Sequence, residues 1–82
     1  MINVLYFAWL RERIGVASEQ VETQAKTVAD LVAELCARDE RYAVAFEDLG
    51  ALRVALDQDL AEFDATLAGV REVAFFPPMT GG

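Results

Sequence analysis

Between residues 27 and 36 this chain sets its apolar side chains at a helical period. Val28, Leu31, Val32, Leu35 and Cys36 fall at i, i+3, i+4, i+7 and i+8, which gathers them into one stripe on an amphipathic helix. Thr27, followed three residues later by Asp30, makes a capping-box-like start in which each side chain can satisfy free N–H groups of the first turn. Ala29, Glu34, Arg38 and Asp39 take other positions around the helix. A helix of about three turns with a single apolar stripe must lay that stripe on another element. The remainder of the chain reads mostly as strands, so that element is a sheet.

Residues 2–8 are rich in aromatic and branched side chains and form the first expected strand. Its parity puts Ile2, Val4 and Tyr6 on one face and Asn3, Leu5 and Phe7 on the other. Residues 9–14 lead to Gly15 through a turn or short helical loop. Residues 19–24 alternate modestly and suit an edge strand. Residues 41–49 add an irregular helical turn ending at Gly50. Leu52, Val54 and Leu56 alternate with Arg53, Ala55 and Asp57 as a half-buried strand. Asp57-Gln58-Asp59 is a turn into a short strand over 60–63, and Gly69 marks a further turn. Residues 72–76 form the last strand, with Val73 and Phe75 opposed to Glu72, Ala74 and Phe76. Pro77-Pro78 stops it, because proline lacks a ladder donor and holds an extended backbone.

A hairpin, one helix and then further strands is the β-grasp, or ubiquitin-like, arrangement: an α+β fold with a mixed sheet and one main helix packed on one face. Other small α+β folds hold the same elements in the same order. The expected division is a β-grasp domain over residues 1–78 and an extended tail over 79–82 that ends in Gly-Gly.

Composition narrows the function. The chain has 82 residues, enough for one domain, and 55% of them are hydrophobic, which suffices for a core. Fourteen acids against seven bases give a net charge of −7, unlike the basic patch expected of a nucleic-acid or anionic-membrane surface. The acidity suits docking onto a basic partner and also simply aids solubility. One cysteine excludes an internal disulfide. No apolar stretch reaches the length of a membrane span, and the apolar N-terminus lacks the basic region and cleavage site of a signal peptide. A cytoplasmic location is therefore expected. The chain contains no histidine, the usual proton-transfer side chain near neutrality. No Cys/His metal cluster, nucleophile–base pair or glycine-rich phosphate loop can be assembled from it, so no metal site is expected. A chain of this kind takes part in chemistry as a substrate or carrier.

The candidate chemical group is the C-terminal carboxylate of Gly82. Gly81 and Gly82 follow the stiff Phe75-Phe76-Pro77-Pro78 segment through Met79 and Thr80, so the tail reads as presented; a frayed end or an expression scar is the competing reading. Glycine has no Cβ and makes a thin rod that fits a narrow channel. Four residues beyond Pro78 reach at most ~14 Å. A carboxylate is a poor electrophile until activated, for example as an acyl-adenylate. A sulfur nucleophile displacing AMP from that adenylate leaves a thiocarboxylate. The chain has no groups for the activation, so a separate enzyme must perform it.

Next to the tail, the strand parity predicts an apolar surface. With Ile2, Val4, Tyr6, Val73 and Phe75 toward the helix, Leu5, Phe7, Ala74 and Phe76 share the open face, and Phe7 and Phe76 lie at the end where the tail leaves. Exposed aromatic clusters mark interfaces; a loop folded over them is the alternative. Cys36 reads as a buried core residue, Trp9 as either a cap on the sheet or an interface residue, and Arg11 as either a partner for an acidic group or a solvated charge. Asp57 and Asp59 read as turn chemistry and not as metal ligands.

The end of the chain, Glu72-Val73-Ala74-Phe75-Phe76-Pro77-Pro78-Met79-Thr80-Gly81-Gly82, and its start, Val4-Leu5-Tyr6-Phe7-Ala8 with Arg11-Glu12 and Gly15, resemble the molybdopterin synthase small-subunit family of ubiquitin-like sulfur carriers. The resemblance runs over essentially the full length; Gly69-Val70-Arg71-Glu72 departs from the acidic turn common in that family. It implies that an adenylating enzyme related to ubiquitin activators uses ATP to charge Gly82, with no cofactor bound permanently by the chain itself. A sulfurtransferase then supplies the sulfur. A large synthase subunit takes up the tail, with Phe7, Leu5, Phe76, Pro77, Pro78, Met79, Thr80 and Arg11 as the contacting residues, and the sulfur goes to a cyclic pyranopterin precursor. Two transfers build the dithiolene, the expected assembly is a heterotetramer, and catalytic groups belong to the large subunit. A carrier for thiamin synthesis, a ubiquitin-like modifier and a plain β-grasp binding module remain alternatives.

Overall fold

A computed structural model describes residues 1–78. Five strands, β1 (Ile2–Tyr6), β2 (Ser18–Val21), β3 (Arg53–Leu56), β4 (Asp59–Ala61) and β5 (Glu72–Phe76), form one mixed sheet in the order β2-β1-β5-β3-β4. β1 and β5 run parallel at its centre, and the other pairs are antiparallel. Three helices, α1 (Trp9–Ile14), α2 (Val28–Arg38) and α3 (Glu40–Ala45), and a 3₁₀ turn at Leu49–Ala51 are the other elements among the described residues. The β-grasp expected from the element order is the fold observed.

One face of the sheet carries the core. Val4, Tyr6, Val54, Val73 and Phe75 meet Val28, Leu31 and Leu35 of α2, all of them buried. β1 and β5 are therefore held in the predicted parity: a one-residue slip would turn Val4 and Phe75 out to water. Thr27 caps α2, its Oγ1 accepting from the Asp30 N–H at 3.2 Å, but Asp30 makes only that half of the capping box. Two further first-turn donors are taken by the sheet side, Val28 N–H by the Ala65 carbonyl at 3.1 Å and Ala29 N–H by the Phe63 carbonyl at 2.7 Å. Backbone donors at a helix start that find partners in this way no longer need water.

α1 ends at Gly15, whose φ of +97° closes the helix in the left-handed region. The Gly15 N–H donates to the Arg11 carbonyl at 2.8 Å, and Arg41 Nη1 donates to the Ile14 carbonyl at 3.2 Å. α3 is thereby tied to α1. A second long-range tie joins α3 to the edge of the sheet: the Tyr6 and Tyr42 hydroxyls both donate to Glu19 Oε2, at 2.8 and 2.6 Å. Burial, followed by the hydrogen bond to Glu19, raises both phenol pKa values.

Several element bounds differ from the sequence expectation. β1 stops at Tyr6 because Ala8 leaves the extended region, with φ +56°. β2 covers 18–21 in place of 19–24, and β4 covers 59–61 in place of 60–63; in the latter case Phe63 is drawn off toward α2. The 41–49 stretch is a regular six-residue helix from Glu40 to Ala45. Gly50 lies inside the 3₁₀ turn that follows and does not end the helix. Cys36 is only half-buried.

Candidate functional site

The site is built where β1 and β5 end side by side. Their register pairs Leu5 with Ala74 and Tyr6 with Phe75. One further rung, the Phe7 N–H to the Phe75 carbonyl at 3.1 Å, carries the ladder past β1. Because side chains alternate along a strand, Tyr6 and Phe75 stack in the core while Leu5, Phe7, Ala74 and Phe76 share the open face. Phe7 is 48% exposed and Phe76 is half-buried. Ala74 faces the same way, yet it is buried, contrary to its expected place in an exposed cluster. Leu5 and Ala55 flank it on the two neighbouring strands, and its single methyl group stays close to the sheet surface.

A tight turn aims Phe7 outward. The Phe7 carbonyl accepts from the Leu10 N–H at 3.2 Å, and Ala8 takes φ +56°, ψ −134°, close to the first central position of a type II′ turn. Alanine is unfavourable there, since its Cβ crowds the backbone. The result is a shallow groove of about 360 Å³ lined by Phe7, Ala8, Ala74, Phe76 and Pro77. None of these side chains titrates or carries a nucleophile. The groove can hold an apolar surface and has no means of acid–base or covalent chemistry.

The apolar surface is wider than the two aromatic residues. Register places Leu5, Ala74, Ala55 and Leu60 in one row across β1, β5, β3 and β4. Leu60 is 77% exposed, a large hydrophobic side chain with nothing over it. Sequence reasoning missed it. The signal was there in principle, a single leucine directly after the polar run Asp57-Gln58-Asp59, but its face depends on the β3–β4 register. Arg53, register partner of Phe76, also faces this way and was not anticipated.

Other candidates separate from the site or remain near it. Arg11 is exposed on α1, which begins at the same end of the sheet. Pro77 is half-buried and Pro78 exposed, directly after β5. Met79, Thr80, Gly81 and Gly82 lie outside the described residues. Trp9 is half-buried against the core with the Arg13 guanidinium 4.8 Å from its ring. The Cys36 thiol is pushed up in pKa by burial, which disfavours the reactive thiolate. Asp57 does turn chemistry: its Oδ1 accepts from the Arg71 and Glu72 N–H groups at 3.1 and 2.9 Å. Among the described residues no three His, Cys, Asp or Glu side chains gather into a metal-binding group, and no helix is long and apolar enough to cross a membrane.

Known proteins resemble the chain over its whole length. The model of the ThiS family matches residues 4–82. A molybdopterin synthase sulfur carrier subunit of Escherichia coli is 45% identical over 82 residues, covering 100% of both chains. The protein of the same name from Haemophilus influenzae is 40% identical over 82 residues, again 100% of both. In three dimensions the crystal structure of SAMP1 from Haloferax volcanii superposes with a TM-score of 0.73 at 24% identity, over 99% of this chain and 98% of that one; at that identity it speaks for the fold. The resemblance read from the strand ends and the Gly-Gly tail is thus matched along the full sequence, and the chain belongs to the ThiS family.

Proposed function

We propose that this chain is the sulfur carrier subunit of a molybdopterin synthase, with the Gly82 carboxylate as the carrier group. The observation that carries the proposal is full-length similarity, at 45% and 40% identity, to two relatives that bear that name. The apolar groove at the end of β5 supports it, because it lies at the base of the segment that would be handed to another protein and offers binding without chemistry.

In this reading an adenylating enzyme joins the Gly82 carboxylate to the AMP moiety of ATP and releases pyrophosphate. A sulfurtransferase delivers sulfur, which displaces AMP and leaves a thiocarboxylate. The large subunit seats on Phe7, Leu5, Phe76 and Leu60 and admits Pro77, Pro78, Met79, Thr80, Gly81 and Gly82 into its own catalytic centre, with Arg11 at the margin. There the terminal sulfur attacks a cyclic pyranopterin precursor, water then hydrolyses the resulting thioester so that the sulfur stays on the precursor and the Gly82 carboxylate is restored, and a second charged carrier completes the dithiolene. Domain 1–78 acts as the handle and residues 79–82 as the extended arm. A heterotetramer of two small and two large subunits and a cytoplasmic location belong to the same proposal.

Deleting Gly82, or blocking it as an amide, tests the proposal. Either change should abolish sulfur delivery to the precursor while the folded domain and its binding to the large subunit persist. A plain binding module would keep every measurable function.

A further inference from the structure

β3 and β4 are paired at Leu56↔Asp59, Ala55↔Leu60 and Val54↔Ala61, and then they diverge. The cause is α2: its first-turn N–H groups take the Phe63 and Ala65 carbonyls, drawing the chain after Ala61 away from β3. On the other side the 3₁₀ turn is held by Asp48, whose Oδ1 accepts from the Gly50 N–H at 3.1 Å. The gap between them is a cleft of about 610 Å³ walled by Leu49, Leu52 and Phe63, with Arg53 and Glu62 also lining it.

Arg53 is the informative residue. Of the chain's seven bases it alone belongs to a strand, and on β5 its register partner is Phe76 of the groove. Its Nη1 donates to the Gly50 and Leu52 carbonyls at 3.3 and 2.9 Å, which orients the guanidinium at the cleft. Among the described residues the one ion pair within 4.0 Å joins Arg41 to Asp39; Glu62 lines the same cleft but does not pair with Arg53 within that distance. A guanidinium carries five N–H donors in a planar fork suited to a carboxylate. On a protein of net charge −7, a cation beside an apolar anchor admits an acidic side chain at one place, while the excess negative charge repels it elsewhere. Such an arrangement sets specificity and register.

We infer that this cleft receives an extended, carboxylate-bearing segment of the protein that covers the Phe7 and Phe76 face, and that Arg53 grips the carboxylate. The inference rests on the docking role proposed above and adds to it the chemistry the partner must present. Titration calorimetry of the full chain against the large synthase subunit from the same genome tests it, at low and at moderate salt. Arg53→Gln should weaken binding about tenfold, the loss expected for one charge-assisted hydrogen bond, and should flatten the salt dependence. Arg53→Glu should weaken it further, and Arg53→Lys should recover only part. Circular dichroism should show all three folded. If Arg53→Gln and Arg53→Glu bind like the parent while Phe76→Asp does not bind, the cleft inference is overturned and the docking face stands. If Phe76→Asp also binds like the parent, the docking face falls and the inference falls with it.

Discussion

Replacing Phe7 with alanine removes a side chain that is 48% exposed in the free protein and that the proposed partner must cover. A phenylalanine presents roughly 200 Å², so about 100 Å² of apolar surface is left for the partner to bury. At about 25 cal/mol per Å² this is worth ~2.5 kcal/mol. Alanine retains a small share, which leaves a loss of about 2 kcal/mol, or about 30-fold in Kd. The fold itself should lose under about 1 kcal/mol, because the side chain is only partly buried and the Phe7 N–H bond to the Phe75 carbonyl belongs to the backbone. Calorimetric titration with the large subunit gives the first quantity and urea unfolding the second. A variant that binds within twofold of the parent would refute the docking face. One that unfolds in step with its loss of binding would show that Phe7 serves the fold instead.

Three other outcomes follow from the fold. Tyr6 and Tyr42 are the chain's two tyrosines, and both phenols are raised above their usual value by burial and by the bond to Glu19. The stability they contribute is fully present below pH ~10 and is lost as pH rises above it toward the raised folded values, because the unfolded chain releases those protons first. Phenolate absorbance should therefore rise together with the loss of the circular-dichroism signal; an earlier rise in the folded protein would contradict the Glu19 network. Asp57→Ala should cost about 2 kcal/mol in urea unfolding, since it removes the acceptor for two N–H groups at the start of β5 and strains a position at φ +50°; Asp57→Asn, which keeps an oxygen and tolerates that φ, should cost less than half as much. Ala8→Gly should raise the melting temperature by relieving the backbone at φ +56°, ψ −134°, and an unchanged or lower value would show that no strain is stored there.

Local rules made much of this molecule legible before its structure. Thr27 and the stripe from Val28 to Leu35 specify α2 because cap and period agree. The strict alternation in β1 and β5 placed Phe7 and Phe76 on a common open face, because a register slip would empty the core. Gly15 and Gly69 marked two turns that need positive φ. Features set by pairing between distant segments stayed hidden. The exposure of Leu60 depends on the rung to Ala55, and a three-residue strand carries too little pattern to reveal its face. Glu19 bridges tyrosines 13 and 23 residues away, which no local window can see. Ala8 gave no warning of its turn, since alanine is not a residue that signals positive φ. The cleft at Arg53 arises from a contest between α2 and β3 for the chain after Ala61, and its cause is tertiary.

The central claim is that the Gly82 carboxylate is charged with sulfur, and intact mass spectrometry reads that directly. The chain is incubated with ATP, its adenylating enzyme and a sulfur donor, and the product is then fragmented. The account predicts a mass gain equal to exchanging one oxygen for one sulfur, confined to Gly82 and dependent on ATP. An unchanged mass with an active adenylating enzyme, or sulfur found on Cys36 in place of Gly82, would contradict it.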